Sequence, residues 1–256
     1  MQISPPFGYE AIAPFLRNQR VRLTAPGALP EFTRRLNAIP VSFSEFSATC
    51  RDYPLVFSSG DEGKTFAPVA VLGLTDRENL FARNDGWAPD TYVPAYVRRY
   101  PFCMTRVTMG GVEQSERLIC VEKDRIVESG DEGEAMFDGE AKPLPHWATI
   151  EKLLQEYEAD LERTREMCSI LHDYGLLEPF SMQANLNAGG SMQLNGMYRV
   201  AENKLEFLNA GQHKNLIRKG VMGRIYLHLV SLENFARLLD RKAALLKGDG
   251  AAPAQG

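Results

Sequence analysis

One apolar stripe in the second half of the chain constrains the fold more than any other feature of the sequence. After His146, apolar and small residues recur at alternating steps of three and four, which is the spacing of one face of an α-helix. The stripe spans about seven helical turns, and Gly175 is suited to end the helix. Its members are Trp147, Ile150, Leu154, Tyr157, Leu161, Thr164, Cys168 and Leu171. We predict a long central helix that packs on a sheet, with an intermolecular coiled coil as the alternative.

The first half of the chain has a different pattern. Between Pro40 and about Val127, short segments rich in Val, Leu, Ile, Phe and Thr are separated by turn residues, which is typical of strands. The segments are PLVFSS, APVAVLGL, NLFAR, CMTRVTM and RLICVEK. One helix interrupts them, since Asp90 can cap the segment TYVPAYVRRY and Pro101 can end it.

The remaining elements complete an α+β fold. Two strands flank LNAGG, and helices are expected near 204–219 and 221–242. We therefore predict a mostly antiparallel sheet in the first half, with the long helix and two C-terminal helices packed on it. Residues 1–35 form an irregular segment on the domain, residues 36–242 a single domain, and residues 243–256 a flexible tail.

The segment from Tyr53 to Leu74 superficially resembles a nucleotide-binding loop. Its Gly63, Lys64 and Thr65 match the end of a phosphate-binding loop, but the first glycine that such a loop needs is replaced by Ser58. The residues that follow are apolar, β-branched and interrupted by proline, so they predict a strand rather than the helix whose amides hold a phosphate. SSGDEGK is therefore predicted to be the turn of a hairpin.

The acidic stretch 111–140 holds ten acidic residues against three basic ones. It fails the EF-hand calcium pattern, because Gly133, Ala135 and Met136 occupy positions three, five and six when Asp131 is taken as the first. We predict an exposed, solvated loop. Serine-hydrolase and dinucleotide-binding glycine patterns are also absent from the sequence, and no cofactor is expected.

Charge and cysteine content narrow the class of protein. The formal net charge of −4 disfavours a nucleic-acid binder. No run of residues is apolar enough for a membrane span, and the first twenty residues lack the pattern of a signal peptide. Four widely spaced cysteines have apolar neighbours and predict buried, reduced thiols: Cys50, Cys103, Cys120 and Cys168. A cytoplasmic location is expected.

The segment DTYVPAYVRRYPF is the best candidate for a ligand site. Paired arginines with aromatic neighbours can hold a carboxylate, a phosphate or a peptide through forked hydrogen bonds and stacking. The candidate ligand-binding residues are Arg98, Arg99, Tyr96, Tyr100 and Trp87. In the alternative reading, the aromatic residues fill the core and the arginines pair with nearby acids. The expected partner is a peptide, an acidic small molecule or another protein.

The four histidines offer a second hypothesis. None belongs to a recognised metal motif, although His213 and His228 both fall in the helical C-terminal region and could hold a metal with a carboxylate. Under this hypothesis the protein is an enzyme or an enzyme subunit. The stripe on the central helix suggests a third hypothesis, a self-assembling subunit, and the sequence leaves the oligomeric state open.

Four segments, in order, resemble the SapC-like family of soluble bacterial proteins. They are RDYPLVF (51–57), PVAVLGLTDRENLF (68–81), YVPAYVRRYPF (92–102) and IYLHLVSLENFARLLDR (225–241), and looser similarity extends from about residue 14 to 241. Arg20 stands where relatives often carry a histidine. The family takes its name from an association with a bacterial surface layer, and the resemblance implies no catalytic residues.

The resemblance also implies a partner role in modification or uptake, because relatives are often encoded near cupin-like proteins, flavin-dependent halogenase-like proteins and outer-membrane receptors. We expect a non-catalytic binding or accessory protein of a surface-layer, uptake or protein- and peptide-modification system. Arg98 and Arg99 are its best candidate contacts.

Overall fold

The structure is a computed structural model that describes residues 3–25, 27–83, 86–109, 112–127, 132–185 and 191–249. It contains both antiparallel sheets and helices, so the α+β class is confirmed. None of the helices in these ranges has the length and hydropathy that a membrane crossing requires.

Five antiparallel strands form the largest sheet, in the order β12-β13-β4-β5-β3. Their bounds are Ala38–Pro40 (β3), Leu55–Ser58 (β4), Ala67–Val71 (β5), Leu177–Asn185 (β12) and Ser191–Val200 (β13). The two strands predicted around LNAGG are therefore β12 and β13, and residues 186–190 between them lie outside the described residues. The sheet is not confined to the first half of the chain, since Tyr198 of β13 lies opposite Phe57 of β4.

The hairpin predicted in place of a nucleotide loop is confirmed. Strands β4 and β5 pair directly, and Asp61 organises the turn between them. Its Oδ1 accepts hydrogen bonds from the backbone N–H of Lys64 (3.1 Å) and of Thr65 (2.7 Å). The hydrogen bonds from the N–H and the hydroxyl of Thr65 make the largest contribution to lowering the pKa of Asp61 to about 2. Because Asp61 bonds to the backbone of its own turn and a strand follows, the segment is a β-turn rather than a phosphate-binding loop.

A second sheet has the order β1-β9-β8. Its strands are Ile12–Pro14 (β1), Phe102–Met109 (β8) and Val112–Glu122 (β9). A small sheet beside it has the order β10-β2-β11, from Arg20–Val21 (β2), Ile126–Val127 (β10) and Glu134–Ala135 (β11). The strands Ala82–Arg83 (β6) and Gly86–Trp87 (β7) form a separate pair.

The prediction of one acidic loop over 111–140 is wrong for much of that range. Residues 112–122 form β9, and the side chain of Met136 is fully buried. Apolar residues at alternate strand positions, such as Ile119 and Val121, hold β9 in its sheet despite the surrounding charge. Residues 128–131 lie outside the described residues.

The long central helix is confirmed as α3, which spans Pro145–Asp173. Leu154, Tyr157 and Leu171 of the predicted stripe are buried. Hydrogen bonds fix the same face to the turn that precedes the short helix Phe46–Thr49 (α1), because Thr164 Oγ1 accepts from the backbone N–H of Phe43 at 2.8 Å. The stripe therefore belongs to the core of one chain.

Three C-terminal helices replace the two that were predicted: Ala210–Arg218 (α4), Val221–Ser231 (α5) and Asn234–Asp249 (α6). The break between α5 and α6 coincides with contacts to a distant segment of the chain. Asn234 is buried and its amide donates to the carbonyls of Cys50 (2.8 Å) and Tyr53 (3.1 Å). Helix α6 also runs past residue 242 into the predicted tail, whose residues 250–256 lie outside the described residues.

The predicted helix after Asp90 shortens to one turn, Ala95–Arg98 (α2). Asp90 does not cap it, because Asp90 has a φ of 58° and lies in a turn. Carboxylate oxygens hold the intervening backbone instead, with Asp52 accepting from the N–H of Tyr92 at 2.8 Å and Glu45 accepting from the N–H of Ala95 at 2.6 Å.

The prediction of buried thiols is confirmed, since all four cysteines are free and buried. Cys103 of β8 and Cys120 of β9 lie directly opposite each other in the ladder. Burial raises the pKa of Cys103 to about 12 and that of Cys120 to about 11, which keeps both groups as thiols at neutral pH.

Candidate functional site

Arg98 and Arg99, the centre of the predicted ligand site, point into different cavities. They are neighbours at the end of α2, and successive residues of a helix are rotated by about 100°. Arg98 is exposed and lines a cavity of about 440 Å³ between α1 and α3. Arg99 is only 4% exposed and lines a cavity of about 390 Å³ between β8 and α3. We refer to these as the Arg98 cavity and the arginine pocket.

Three tyrosine rings enclose the guanidinium of Arg99. Its Cζ lies 4.2 Å from the ring centre of Tyr96, 4.9 Å from that of Tyr157 and 5.8 Å from that of Tyr9. Aromatic faces attract cations at these distances, and more strongly where water is excluded. The cage fixes the position of the charge.

The polar contacts of Arg99 are incomplete. Among the described residues its Nε has no hydrogen-bond partner, and its ion pair with Glu158 is long at 3.9 Å. Burial lowers its pKa, but the tyrosine oxygens and Cys103 raise it, and the net pKa is above the ordinary value. Arg99 therefore stays cationic. Its Nε is unusual, because buried polar groups normally have a hydrogen-bond partner.

Other arginines extend this positive site towards the surface. Arg106 of β8, Arg117 of β9 and Arg165 of α3 line the arginine pocket with Arg99, together with Glu158. Their side chains converge because β8, β9 and one face of α3 lie together. The pocket is thus built from three elements that are far apart in the sequence.

Two glutamates of α3 neutralise part of this charge. Arg117 pairs with Glu158 and with Glu162, the latter at 2.5 Å. The Oε1 of Glu162 also lies 2.6 Å from Nη1 of Arg165 and 3.8 Å from Nη2 of Arg106. The hydrogen bond from Arg165 lowers the pKa of Glu162, and burial followed by the nearby Arg165 charge lowers the pKa of Arg117.

The arginines of the pocket favour an anion. Arg99, Arg117 and Arg165 line it beside Glu158. A carboxylate or phosphate would complete the donors of Arg99 with charge-assisted hydrogen bonds. The pocket is equipped to hold an anionic group.

The Arg98 cavity differs because its buried carboxylates are already satisfied. Glu45 accepts through Oε2 from the N–H and hydroxyl of Ser42 (3.0 and 2.8 Å). Its Oε1 accepts from Tyr92 (3.0 Å) and from the N–H of Ala95 (2.6 Å). Arg98 donates to the Tyr92 hydroxyl at 2.9 Å and to the carbonyl of Val93 at 3.0 Å. These bonds account for the fold around α2.

Asp160, on the α3 side of the Arg98 cavity, is satisfied in the same way. Its two oxygens accept from the N–H and hydroxyl of Ser44 (2.6 and 2.8 Å) and from Arg163 (3.2 Å). Carboxylates bonded in this way stabilise a junction between elements, and they offer little to a ligand.

The remaining predicted site residues are dispersed. Tyr96 belongs to the cage of Arg99, and its hydroxyl donates to the carbonyl of Phe7 at 2.7 Å. The hydroxyl of Tyr100 accepts from Arg125 at 3.2 Å. Trp87 donates from Nε1 to the hydroxyl of Tyr53 at 2.8 Å, close to β4. The structure thus brings together Arg99 and Tyr96, and it places Arg98, Tyr100 and Trp87 elsewhere.

The two histidines of the metal hypothesis, His213 and His228, make unrelated contacts. His228 is fully buried, with Nε2 accepting from the N–H of Val200 (3.1 Å) and Nδ1 2.8 Å from the carbonyl of Leu55. Both ring nitrogens are occupied, so His228 has no lone pair to offer a metal. His213 lies 3.2 Å from the carbonyl of Asn209 at the start of α4. Within the described residues, no three His, Cys, Asp or Glu side chains are grouped to hold a metal ion.

Sequence reasoning missed Arg106, Arg117 and the polar face of α3. One signal was available, because Glu158, Glu162 and Arg165 are spaced by four and three and must share a helix face. That face is the one beside the apolar stripe. Nothing in the sequence showed that it would meet β8.

Comparison with known proteins gives one result. The family model described as SapC matches residues 19–238. No curated protein and no solved structure matches the chain.

Proposed function

The chain belongs to the SapC family, and we propose that it is a non-catalytic binding protein that holds an anionic group, a carboxylate or a phosphate, in the arginine pocket. The observation that carries this proposal is the buried, tyrosine-caged Arg99, whose Nε has no hydrogen-bond partner among the described residues. A buried donor left unpaired costs about 1–3 kcal/mol, and more for a charged group. A ligand that reaches the guanidinium of Arg99 would offset that cost with charge-assisted hydrogen bonds.

In this role the protein would serve as an accessory component of a bacterial surface-layer, uptake or protein- and peptide-modification system. The ligand would be the acidic part of a peptide, small molecule or partner protein. We place the protein in the cytoplasm, where the facing thiols of Cys103 and Cys120 would stay reduced.

The proposal is tested by measuring the binding of citrate and of inorganic phosphate by calorimetry at low salt. Arg99→Lys keeps the charge but removes Nε and the planar fork. A hydrogen bond to a charged group contributes about 1.5–3 kcal/mol, so we expect the affinity to fall by about ten- to a hundredfold. Arg165→Gln provides a second variant at a side chain that is 57% exposed and therefore outside the core, and it should also weaken binding.

The matched control is Arg98→Ala, which removes a neighbouring arginine that lines the other cavity. Binding in this variant should equal that of the wild type. Unchanged affinity in both Arg99→Lys and Arg165→Gln, with folding verified by circular dichroism, would refute the proposed site.

A further inference from the structure

Strand β8 forms one edge of its sheet, because the strand order is β1-β9-β8. The backbone N–H of Glu122 donates to the carbonyl of Pro101 at 3.0 Å. This bond shows which residues of β8 direct their main-chain groups towards β9. In an antiparallel pair, alternate residues direct both main-chain groups to the partner strand. Cys103 and Thr105 therefore bond towards β9, and Met104 directs its N–H and C=O to the open side.

The arginine pocket runs along this open edge. Side chains of consecutive strand residues project to opposite faces, yet Met104, Thr105 and Arg106 all line the same cavity. A cavity reaches three consecutive residues in this way when it follows the edge of the strand. Its opposite side is formed by α3, through Glu158 and Leu161. The cavity is a groove bordered by the edge strand, by α3 and by Ser4 and Pro6 of the N-terminal segment.

We propose that the ligand of this groove is an acidic peptide segment that adds to β8 as a further strand and places a Glu or Asp side chain beside Arg99. The inference rests on the proposed function, because it takes the anion to be a carboxylate of a polypeptide. Strand addition uses main-chain hydrogen bonds for affinity and pockets at alternate side chains for specificity. Here Arg99 and Arg165, which both line the groove, supply the specificity for an acidic residue.

The groove suits a short extended segment. Met104 and Leu161 offer apolar contacts on either side, so small β-branched residues fit next to the acidic one. The main-chain groups of Met104 give the peptide an N–H and a C=O to bind. A free carboxylate or phosphate would satisfy Arg99 equally, but it would not engage the edge of β8.

The test uses blocked peptides of about six residues, with alternating Val and Thr around one central Glu, and the complete chain. Calorimetry should show binding that weakens by about tenfold or more when Glu is replaced by Gln, since a charge-assisted contact is lost. Methylation of the peptide amides, one at a time, should abolish binding at the position that pairs with Met104 and leave it at the two adjacent positions, whose amides face away from β8. Methylation effects of equal size at all positions would overturn strand addition.

Two variants of one residue test the same contact from the side of the protein. Met104→Pro removes an N–H that points away from β9, so the ladder is preserved, as edge strands tolerate proline. Met104→Ala removes the side chain and keeps the N–H. We expect peptide binding to be lost in Met104→Pro and to persist in Met104→Ala.

These outcomes separate the two proposals. Citrate binding that depends on Arg99, without binding of any of the peptides, would overturn the strand inference and leave the anion site standing. Absence of both would overturn both. Peptide binding that Met104→Pro leaves unchanged would place the peptide elsewhere than on the edge of β8.

Discussion

The buried His228 provides a quantitative test of the core, and the test also bears on the metal hypothesis. The ring lies between α5 and the sheet, where it packs against Phe57 and bonds to the backbone of Leu55 and Val200. Burial lowers its pKa from 6.5 to about 4, with the nearby Arg199 charge acting in the same direction. The folded protein therefore keeps this histidine neutral at a pH where the unfolded chain protonates it.

The sign of the effect on stability follows from this difference. Above about pH 6.5 both states are neutral, and His228 adds no pH dependence. As the pH falls towards 4, the unfolded state binds a proton that the native state excludes, so the free energy of unfolding decreases. The difference between 6.5 and about 4, at about 1.4 kcal/mol per pH unit, gives a loss of about 3 kcal/mol.

The perturbation is His228→Gln, which removes the titrating group. At neutral pH this variant should be less stable by about 1–3 kcal/mol, because a buried backbone group at Leu55 or Val200 loses its partner. Its stability should then decline less on acidification, so that the gap between the two proteins closes by about 3 kcal/mol as the pH falls from 7 towards 4. Urea unfolding of both proteins across this range measures the gap.

Carboxylates titrate in the same range, but they do so in both proteins and cancel in the comparison. Glu122, whose pKa burial raises, and Glu78, whose pKa is lowered by hydrogen bonds against the effect of burial, are examples. Parallel stability profiles for the wild type and His228→Gln would show that His228 titrates normally. The ring would then be accessible, and a role as a metal ligand would have to be reconsidered.

Two further variants test close packing and buried hydrogen bonding. Gly73→Ala would place its Cβ 2.1 Å from the carbonyl oxygen of Glu78, so we expect the free energy of unfolding to fall by about 1–3 kcal/mol or more, as measured by urea unfolding. The control is Gly139→Ala, whose Cβ would have no atom within 4 Å and which should leave the stability nearly unchanged. Equal stability of these two glycine variants would contradict the close approach. Asp160→Ala should cost about 1–3 kcal/mol, because two donors of Ser44 lose their acceptor, and citrate binding should stay unchanged; a loss of citrate binding would show that the Arg98 cavity and the arginine pocket are one site.

The parts of the fold that the sequence predicted are those set by local periodicity. Helix α3 could be predicted because its apolar residues follow the helical period over its whole length. The β4–β5 hairpin could be predicted because Asp61 and its glycine neighbours encode a turn. In both cases the information lies within one short stretch of chain.

The parts that escaped prediction depend on contacts between distant segments. The amide of Asn234 ends the run of helix after α5 by bonding to Cys50 and Tyr53, and no local pattern records those partners. The pairing of β13 with β4 likewise joins the two halves of the chain. Tertiary packing determines both the break after α5 and the pairing of β13 with β4.

The same distinction explains the candidate site. The arginine-aromatic segment identified Arg99 and its neighbour Tyr96, but adjacency in sequence also suggested that Arg98 shares their role. A helix turns successive side chains apart, and the glutamates that balance Arg99 are on α3. The division of residues 1–35, 36–242 and 243–256 stays a prediction.

Tyr157 and Glu158 are consecutive residues of α3, and each borders a different cavity. Because both belong to one helix, a rotation of α3 about its axis would move the two residues together. Such a rotation would therefore change the volumes on both flanks of α3. An occupant that shifts α3 on one flank would be registered on the other without any loop having to move.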